Sequence, residues 1–529
     1  MKCLAGKRLS SADMTMLRAY AYKIDTHTTD SAFKKLSFVF PQEEIPTVDV
    51  CRTRLRFLSG LKPEKYHCCI NSCCCFVGPH GDCDKCPYCG EERYLQERKG
   101  RKKPRKCFTY LPFIPRLVAM YANVEKAQEM RYRGFEHEHI PGEIKDVFDS
   151  HIYRSLLGKK VIIDDKEVSH EYFSSPRDIA LGLSTDGFAP FKRRKSTAWP
   201  LLLFNYNLPP ETRFQKGNSI SLGAVPGHKK PLDMDSFAWP ALVEFLRLQI
   251  GVRAYDAQAA ELFLLRGYLI LVFGDIPAMS MLMRMTGHNG FSPCRMCKIL
   301  GVRVPGIQAT THYVPLDRSK HPSVRNSQNE VARYDPAALP LRTEAEMLHQ
   351  AQEVQDAPSD AEATRLSKAY GIKGVPALSY LKSLTFPLSF PYDFMHLIWE
   401  NCIPNLILHW TGEFKGLDDG VEDYQFSKQV WEAIGTGTAA AGSTIPSAFG
   451  ARPPNIATNK SACTAESWSF WTLFIGPVLL RRRFRKQKYY HHFVELVALL
   501  NICLQFEITT EEVQTIREGM IKWVKQYER

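Results

Sequence analysis

Short apolar runs closed by turn residues form the clearest pattern in the middle of the chain. Between residues 179 and 208 they appear as IALGLSTDGFAP and WPLLLFNYNLPP. Because each run is short and ends in Gly, Pro or Asn, it predicts a buried β-strand rather than a helix. Helical spacing of apolar residues follows at 235–250 and 258–272, and LILVFGD then predicts another strand that ends on an acid. Residues 434–457, rich in Gly, Thr, Ala and Ser, predict a loop. The mixture of strands and helices indicates an α/β protein.

The composition is that of a folded protein without a membrane partner. Of 529 residues, 44% are hydrophobic and 24% charged, which excludes global disorder. The most apolar stretch, 262–283, is interrupted by Arg266 and Asp275, so no segment is long enough to cross a bilayer. The first residues, MKCLAGKR, lack the apolar region of a secretory signal. We therefore expect an intracellular protein.

Two dense basic runs indicate more about possible binding partners than the net charge of +13, which is small for this length. Residues 98–106 read RKGRKKPRK and residues 481–488 read RRRFRKQK. Such runs suit phosphate backbones or nuclear import, and the alternative is a solvated face.

Half of the sixteen cysteines lie between Cys68 and Cys89. Clustered thiols in an intracellular chain indicate metal rather than disulfides. Two pairs, Cys69/Cys73 and Cys86/Cys89, have the spacing of a structural zinc site with four thiolate ligands. Other cysteines of the cluster offer alternative ligands: Cys68, Cys74, Cys75 and Cys83. The sequence Cys86-Pro-Tyr-Cys89 also matches the dithiol of glutaredoxins, a competing redox interpretation.

Two acids follow predicted strands, Asp186 in STDGF and Asp275 in LILVFGDIPA. Carboxylates at neighbouring strand ends can hold Mg²⁺ for attack on a phosphodiester, although many such acids only cap a turn or helix. Downstream, Cys294-Arg-Met-Cys297 supplies half of a second zinc site. Its nearest candidate partners are Asp393 and His396, which lie on one face if that segment is helical.

Taken together, these motifs resemble the transposases of CACTA-type (En/Spm) DNA transposons, in the version found in basidiomycete fungi. Besides the cysteine cluster and the CRMC pair, the resemblance rests on segments in the same order: STDGFAPF, WPLLLFNYNLPPETR, LILVFGDIPA, FPYDFMHLIWENCIPNLILHWTGEFKGLDDG, IPSAFGARPPNI, TAESWSFWTLFIGPVLL and RFRKQKYYHHF. It covers most of the chain.

The resemblance implies an RNase H-like core with a D-D-E metal triad, whose first two acids would be Asp186 and Asp275. Mg²⁺ or Mn²⁺ would serve catalysis and Zn²⁺ would serve structure. The implied partner is double-stranded DNA at transposon terminal repeats, bound in the nucleus by a homo-oligomer.

On this basis the chain divides into six segments: an unassigned region (1–60), a zinc-binding module (61–95), a basic linker with a helical segment (96–177), the first part of the RNase H-like core (178–300), a polar helical insertion (301–385), and an incomplete helical continuation (386–529).

One departure bears on activity. In the family, the third acid and a histidine pair follow the stretch that resembles residues 489–525, and the sequence ends before them. We therefore expect impaired catalysis, with Glu400 and Glu466 as the substitutes to test. Two alternatives stay open: a DNA-binding remnant or domesticated transposase that does not cut, and a zinc-dependent protein–protein adaptor.

Overall fold

A computed structural model describes residues 9–95, 102–190, 197–227, 230–306, 312–327, 330–414, 422–446, 449–450 and 452–529. The protein is a mixed α/β structure, as the sequence predicted. Its strands are β1 (Glu64–His67), β2 (Cys107–Tyr110), β3 (Glu143–Ile144), β4 (Lys160–Ile163), β5 (Lys166–Glu171), β6 (Ile179–Thr185), β7 (Thr197–Asn205), β8 (Ile220–Gly227), β9 (Val252–Asp256), β10 (Glu261–Leu265), β11 (Gly267–Phe273) and β12 (Ile508–Thr509).

The α-helices are α1 (Ser11–Asp25), α2 (Asp30–Lys34), α3 (Leu36–Val39), α4 (Val48–Ser59), α5 (Ile114–Tyr121), α6 (Val124–Glu129), α7 (His151–Arg154), α8 (Pro210–Arg213), α9 (Met234–Ile250), α10 (Ile276–Leu282), α11 (Pro322–Arg325), α12 (Glu344–Gln355), α13 (Asp360–Tyr370), α14 (Ile403–Thr411), α15 (Lys428–Ala441), α16 (Ala465–Phe470), α17 (Gly476–Leu479), α18 (Gln487–Cys503) and α19 (Thr510–Tyr527). Three segments are π-helical: Tyr132–Glu136, Met395–Cys402 and Trp471–Ile475.

A four-stranded sheet in the order β11-β6-β7-β8 forms the centre of the fold. Strands β6, β7 and β8 are antiparallel neighbours, whereas β11 runs parallel to β6 on its other side. In β6 every residue except Ser184 is buried, which explains why its sequence is continuously apolar. Strand β7 instead alternates between buried and half-buried positions. The strands predicted between residues 179 and 208 are therefore confirmed.

Helix α9 carries the chain from β8 back towards β11 and packs against the sheet. Its buried side chains, such as Phe237 and Phe245, share one core with Leu181 of β6 and Leu269 of β11. The helix predicted at 235–250 is confirmed.

The helix predicted at 258–272 is wrong. Strands β9 and β10 form an antiparallel hairpin there, and β11 begins at Gly267. Leu264 and Leu265 lie on opposite faces of β10, one exposed and one buried, as β-structure requires. Periodicity over so short an apolar run does not distinguish the two structures.

The segments that flank the sheet differ in how they attach to it. Helices α1–α4 enclose a small separate core around Met16, Phe33 and Cys51. In the polar region 301–385, by contrast, Met347 and Ala351 of α12 join the main core.

The C-terminal helices form a second body around tryptophans. Its core includes Trp399, Trp410, Trp431, Trp468, Trp471 and Trp523. The short β12–β3 pairing connects this body to the region before the sheet. No helix in the described part of the chain is long and apolar enough to span a membrane.

The loop predicted over residues 434–457 is wrong at its start, because α15 continues to Ala441. A Cβ at Gly435 would lie 2.3 Å from Asn455 Oδ1, so glycine here permits close packing rather than a turn. The indole of Trp471 also donates a hydrogen bond to Thr438 Oγ1 at 3.1 Å.

Candidate metal centres

The four thiols predicted to bind zinc lie together. Sγ atoms of Cys69, Cys73, Cys86 and Cys89 are all within 4.8 Å of one another, and Cys69 and Cys89 are 3.5 Å apart. The first three residues are buried and Cys89 is exposed. Such a group could hold a metal ion such as zinc, whose structural sites take four thiolates.

Tight backbone turns bring the two cysteine pairs together. After β1 the chain reverses through Ser72, which has a φ of 58°, and Cys69 N–H donates to Cys74 O at 2.9 Å. The second turn uses Gly90, with a φ of 73°, where Gly90 N–H donates to Cys86 O at 2.9 Å. The four cysteines are therefore positioned by two tight turns rather than by a segment of regular secondary structure.

The geometry separates these four cysteines from the alternatives. Cys74 lies 3.9 Å from Cys86 but is outside the group of four, and Cys68 and Cys75 point into the main core. No helix follows Cys86 in the described residues up to 95, so the redox interpretation lacks the helix N-terminus that would activate its thiolate.

The electrostatics of the cluster favour a bound cation. Burial raises the pKa of the Cys73 thiol, and the neighbouring thiols of Cys89 and Cys69 raise it further. Burial also opposes ionisation of Cys89, but hydrogen bonds from Glu91 N–H and Asn71 lower the pKa of Cys89 to about 7. Four thiolates at this spacing repel one another unless a cation compensates their charge.

The cysteine module packs on the connection from β8 to α9. Cys73 O accepts hydrogen bonds from the N–H groups of Leu232 and Asp233, and Cys75 N–H donates to Ser236 Oγ at 2.9 Å. His80 Nε2 lies 2.7 Å from Asp233 Oδ2. The module thus supports the start of the helix that covers the sheet.

Asp186 and Asp275 leave the sheet at the same edge. Strands β6 and β11 are parallel, and Ser184 pairs with Phe273, so each acid lies two residues beyond this last pair. Between Phe273 and Asp275, a Cβ at Gly274 would lie 2.4 Å from Thr185 O. Glycine at this position permits the close approach of the two strand ends.

The two carboxyl groups have different surroundings. Asp186 is exposed, and its Oδ1 accepts a hydrogen bond from Gly187 N–H at 2.6 Å. Asp275 is half-buried and caps α10, since its Oδ1 accepts from Ala278 N–H at 2.6 Å. The capping role that the sequence left open is therefore present at Asp275. Capping occupies one side of one oxygen and leaves the other oxygen available.

Asp393 and His396 lie close enough to act on Asp275. Burial has the largest effect on the pKa of the Asp275 carboxyl and raises it, and the charges of Asp186 and Asp393 raise it further. The hydrogen bond from Ala278 N–H and the nearby His396 lower the pKa, but the net shift is upward. His396 itself lies between two acids, with Nδ1 3.2 Å from Asp393 Oδ2 and Nε2 3.7 Å from Glu400 Oε2. No sequence pattern indicates this proximity, because more than a hundred residues separate His396 from Asp275.

The CRMC thiols contact the same segment at a different residue. Cys294 Sγ lies 3.3 Å from the hydroxyl of Tyr392. Hydrogen bonds from Cys297, the Tyr392 hydroxyl and backbone N–H groups lower the pKa of Cys294 to about 5. Among the described residues, Asp393 and His396 do not join Cys294 and Cys297 in a group of ligand atoms. Tyr392, which precedes Asp393 in FPYDFMH, is a contact that the sequence analysis missed.

The two basic runs have different structural roles. Residues 98–101 of the first run lie outside the described residues. Three of its four described cations are engaged: Lys102 with Asp84, Arg105 with Glu91, and Lys106 with Ile70 O, Ser72 Oγ and Pro226 O, whereas Lys103 is exposed. In the second run, all basic residues from Arg481 to Lys488 are exposed.

Comparison with known proteins supports a transposase family for this chain. Residues 162–335 match the family described as Transposase family tnp2. The matched segment is less than half of the chain, and it contains Asp186, Asp275, Cys294 and Cys297. A search of curated proteins found no match.

Proposed function

We propose that the protein is a CACTA-type transposase-like enzyme that cleaves phosphodiesters at transposon ends, with Asp186 and Asp275 as metal-binding carboxylates. The observation that carries this proposal is the exit of both acids from one edge of a parallel strand pair, beside Asp393 and His396. The match to Transposase family tnp2, which spans both acids, supports it.

An RNase H-like core is part of the proposal. The strand order β11-β6-β7-β8, with three antiparallel strands and a crossover through α9 to a parallel neighbour of β6, supports this interpretation. In such a sheet the carboxyl ends of the two parallel strands, here β6 and β11, lie together, and Asp186 and Asp275 follow these two ends.

The donor set fits a hard divalent ion. Carboxylate oxygens are the ligands that Mg²⁺ and Mn²⁺ prefer, with water completing the shell. When bound, such an ion neutralises charge on the attacking and leaving oxygens of a phosphodiester. Asp186 and Asp275 would hold it.

Further carboxylates are available to this group. Asp393 acts on Asp275 electrostatically, and Glu400 reaches the same cluster through His396. Glu466, the other proposed substitute, is exposed on α16. Helix α16 packs against the π-helical segment Met395–Cys402. Glu400 is therefore the better candidate for a third acid within these residues.

Zinc belongs to the proposal in a structural role. Cys69, Cys73, Cys86 and Cys89 would hold one ion, and Cys294 and Cys297 would supply two ligands of a second site. The proposed setting is the nucleus, where a homo-oligomer would bind double-stranded DNA at terminal repeats.

Cleavage of a duplex that carries the element's terminal inverted repeats, in Mg²⁺ or Mn²⁺, tests the catalytic assignment. We expect Asp186→Asn and Asp275→Asn each to lower cleavage by about 10³-fold, equivalent to about 4 kcal/mol of transition-state stabilisation. Asp25→Asn, which changes an exposed acid of α1, is the matched control and should cleave normally.

The same assay separates the alternatives. Unchanged cleavage in both site variants would refute the roles of Asp186 and Asp275. A wild-type chain that binds duplex DNA but never cleaves it would support the DNA-binding remnant. Absence of any duplex affinity would leave the protein–protein adaptor, because a DNA binder shows salt-dependent affinity.

A further inference from the structure

The second basic run forms a folded loop rather than an extended peptide. It lies between α17 and α18, where Arg482 has a left-handed φ of 59° and Arg483 N–H donates to Leu480 O at 3.1 Å. At the start of α18, Gln487 Nε2 donates to Phe484 O at 3.4 Å. These bonds hold the backbone of the loop in one shape.

Phe484 anchors this loop in the C-terminal core. The ring is 4% exposed and lies 4.4 Å from the ring of Phe426 and 5.5 Å from that of Trp410, measured between centroids. Because Phe484 is in the middle of the run, the basic residues on both sides of it are directed to solvent from a fixed base. We call residues 481–488 the anchored basic loop.

The anchored basic loop carries an excess of unpaired positive charge. Within the described part of the chain, Lys486 pairs with Asp423, whereas Arg481, Arg482, Arg483 and Arg485 form no ion pair with any described residue. The positive charges of the loop act together on a neighbouring acid, since the pKa of Asp423 is lowered by Lys486 and also by Lys488 and Arg485. A surface of this kind attracts a polyanion.

The loop's geometry discriminates between the partners that a basic run could bind. A receptor that binds a basic peptide in extended form would have to extract Phe484 from the core. A single-stranded nucleic acid requires exposed aromatic rings for stacking, and the aromatic ring within this run is buried. Several exposed guanidinium groups on one anchored backbone segment suit the regularly spaced phosphates of a duplex.

We propose that the anchored basic loop is a sequence-independent binding surface for the phosphate backbone of duplex DNA. The π-helical segment with His396 packs in the same tryptophan-rich core as Phe484. DNA held by the loop would therefore be held by the same hydrophobic core that carries the segment with His396. This proposal goes beyond cleavage, because a chain that cannot cut would still bind through the loop.

Binding of a labelled duplex unrelated to the terminal repeats, without divalent ions, tests the proposal across a salt series. For Arg481→Gln/Arg483→Gln/Arg485→Gln, the slope of log K against log salt should fall by about 2.7, since each phosphate contact contributes about 0.9. Arg482 is left unchanged because of its left-handed backbone. Lys216→Gln/Arg325→Gln/Lys368→Gln, a change of equal charge at exposed positions elsewhere, should leave the slope nearly at the wild-type value.

Three results would overturn the proposal: no duplex affinity in the wild type, an unchanged slope in the loop variant, or an equal loss in the charge-matched control. If the loop variant keeps the wild-type slope but its fluorescent fusion is excluded from the nucleus, the run is an import signal instead. If the glutamine variant fails to fold, Arg481→Lys/Arg483→Lys/Arg485→Lys, which keeps the charge, should show the wild-type slope. A folded lysine variant with a reduced slope would also contradict the proposal. Because the binding assay contains no divalent ions, its outcome does not depend on cleavage, so a failure of the cleavage proposal is distinguishable.

Discussion

At the scale of residues, Asp275 combines a structural and a proposed catalytic role. Its Oδ1 caps α10, while its carboxyl group is half-buried near the charges of Asp186 and Asp393. The cap requires only an oxygen acceptor, whereas binding a cation requires negative charge. An amide in this position would keep the first function and lose the second.

Asp275→Asn should therefore make the protein inactive in cleavage but more stable at neutral pH. The pKa of Asp275 is raised from 3.8 by burial, so the wild type loses stability as the pH rises from that value through the raised pKa. The variant should show no such loss, and its advantage should vanish below pH 3.8. Urea unfolding of both proteins as a function of pH, without divalent ions, measures this; a variant less stable at neutral pH contradicts it.

The sequence predicted Asp186 and Asp275 because each follows an apolar run long enough to identify a buried strand. It did not predict that Asp393 and His396 act on Asp275, because this proximity depends on how distant parts of the chain pack together. No local sequence pattern predicts such packing. Similarly, spacing singled out four of eight clustered cysteines, but only the folded chain shows that Cys74 lies outside their group.

At the scale of elements, the cysteine module consists mostly of turns, with one short strand, β1, and a 3-10 helix at Gly78–His80. Its own hydrophobic cluster consists of Cys69, Cys73, Cys74, Cys86 and Phe76, with Ile70 and Cys83 packed against it. A core made mostly of thiols buries little apolar surface, so we expect the module to depend on a bound ion for its stability.

Replacing Cys86 by Ser should abolish zinc binding at this module and unfold residues 61–95, while the sheet stays folded. Zinc content by atomic absorption and hydrogen exchange resolved by segment measure the two effects. The matched control is Cys83→Ser, which removes a neighbouring thiol outside the group of four and should retain zinc. Full zinc content in Cys86→Ser, or equal loss in the control, would contradict the assignment of ligands.

At the scale of the whole molecule, the segment before the sheet connects the two large bodies. Strand β3 pairs with β12, which leads into α19, and the adjacent chain turns around the buried carboxylate of Asp149. That carboxylate accepts hydrogen bonds from Lys145 N–H and Asp146 N–H, and its Oδ1 lies 3.0 Å from His137 Nε2 and 2.8 Å from His139 Nδ1. Asp149 therefore organises the junction.

Asp149→Asn should destabilise the protein by about 2–4 kcal/mol at neutral pH, since an amide cannot replace a buried, charged acceptor of several hydrogen bonds. Burial opposes ionisation, but hydrogen bonds from Lys145 N–H, His139 and His137 lower the pKa of Asp149 below 3.8. Its stabilisation is thus present above pH 3.8 and is lost as the pH falls through the lowered value. Thermal unfolding at several pH values measures this, and Glu167→Gln, the same change from acid to amide at an exposed position of β5, should change nothing.

Gly274 has a consequence for how the gene tolerates mutation. Replacing this glycine by any other amino acid adds at least one heavy atom, and even a single Cβ would meet Thr185 O at 2.4 Å. Thr185 immediately precedes Asp186, so the intruding atom would force apart the two chain segments that bear the acids. The same atom would lie 3.2 Å from Met279 Cε in the main core, so a replacement would disturb both the spacing of the carboxylates and the packing beneath them. A lineage no longer selected for cleavage would lose the first constraint on this codon and keep the second.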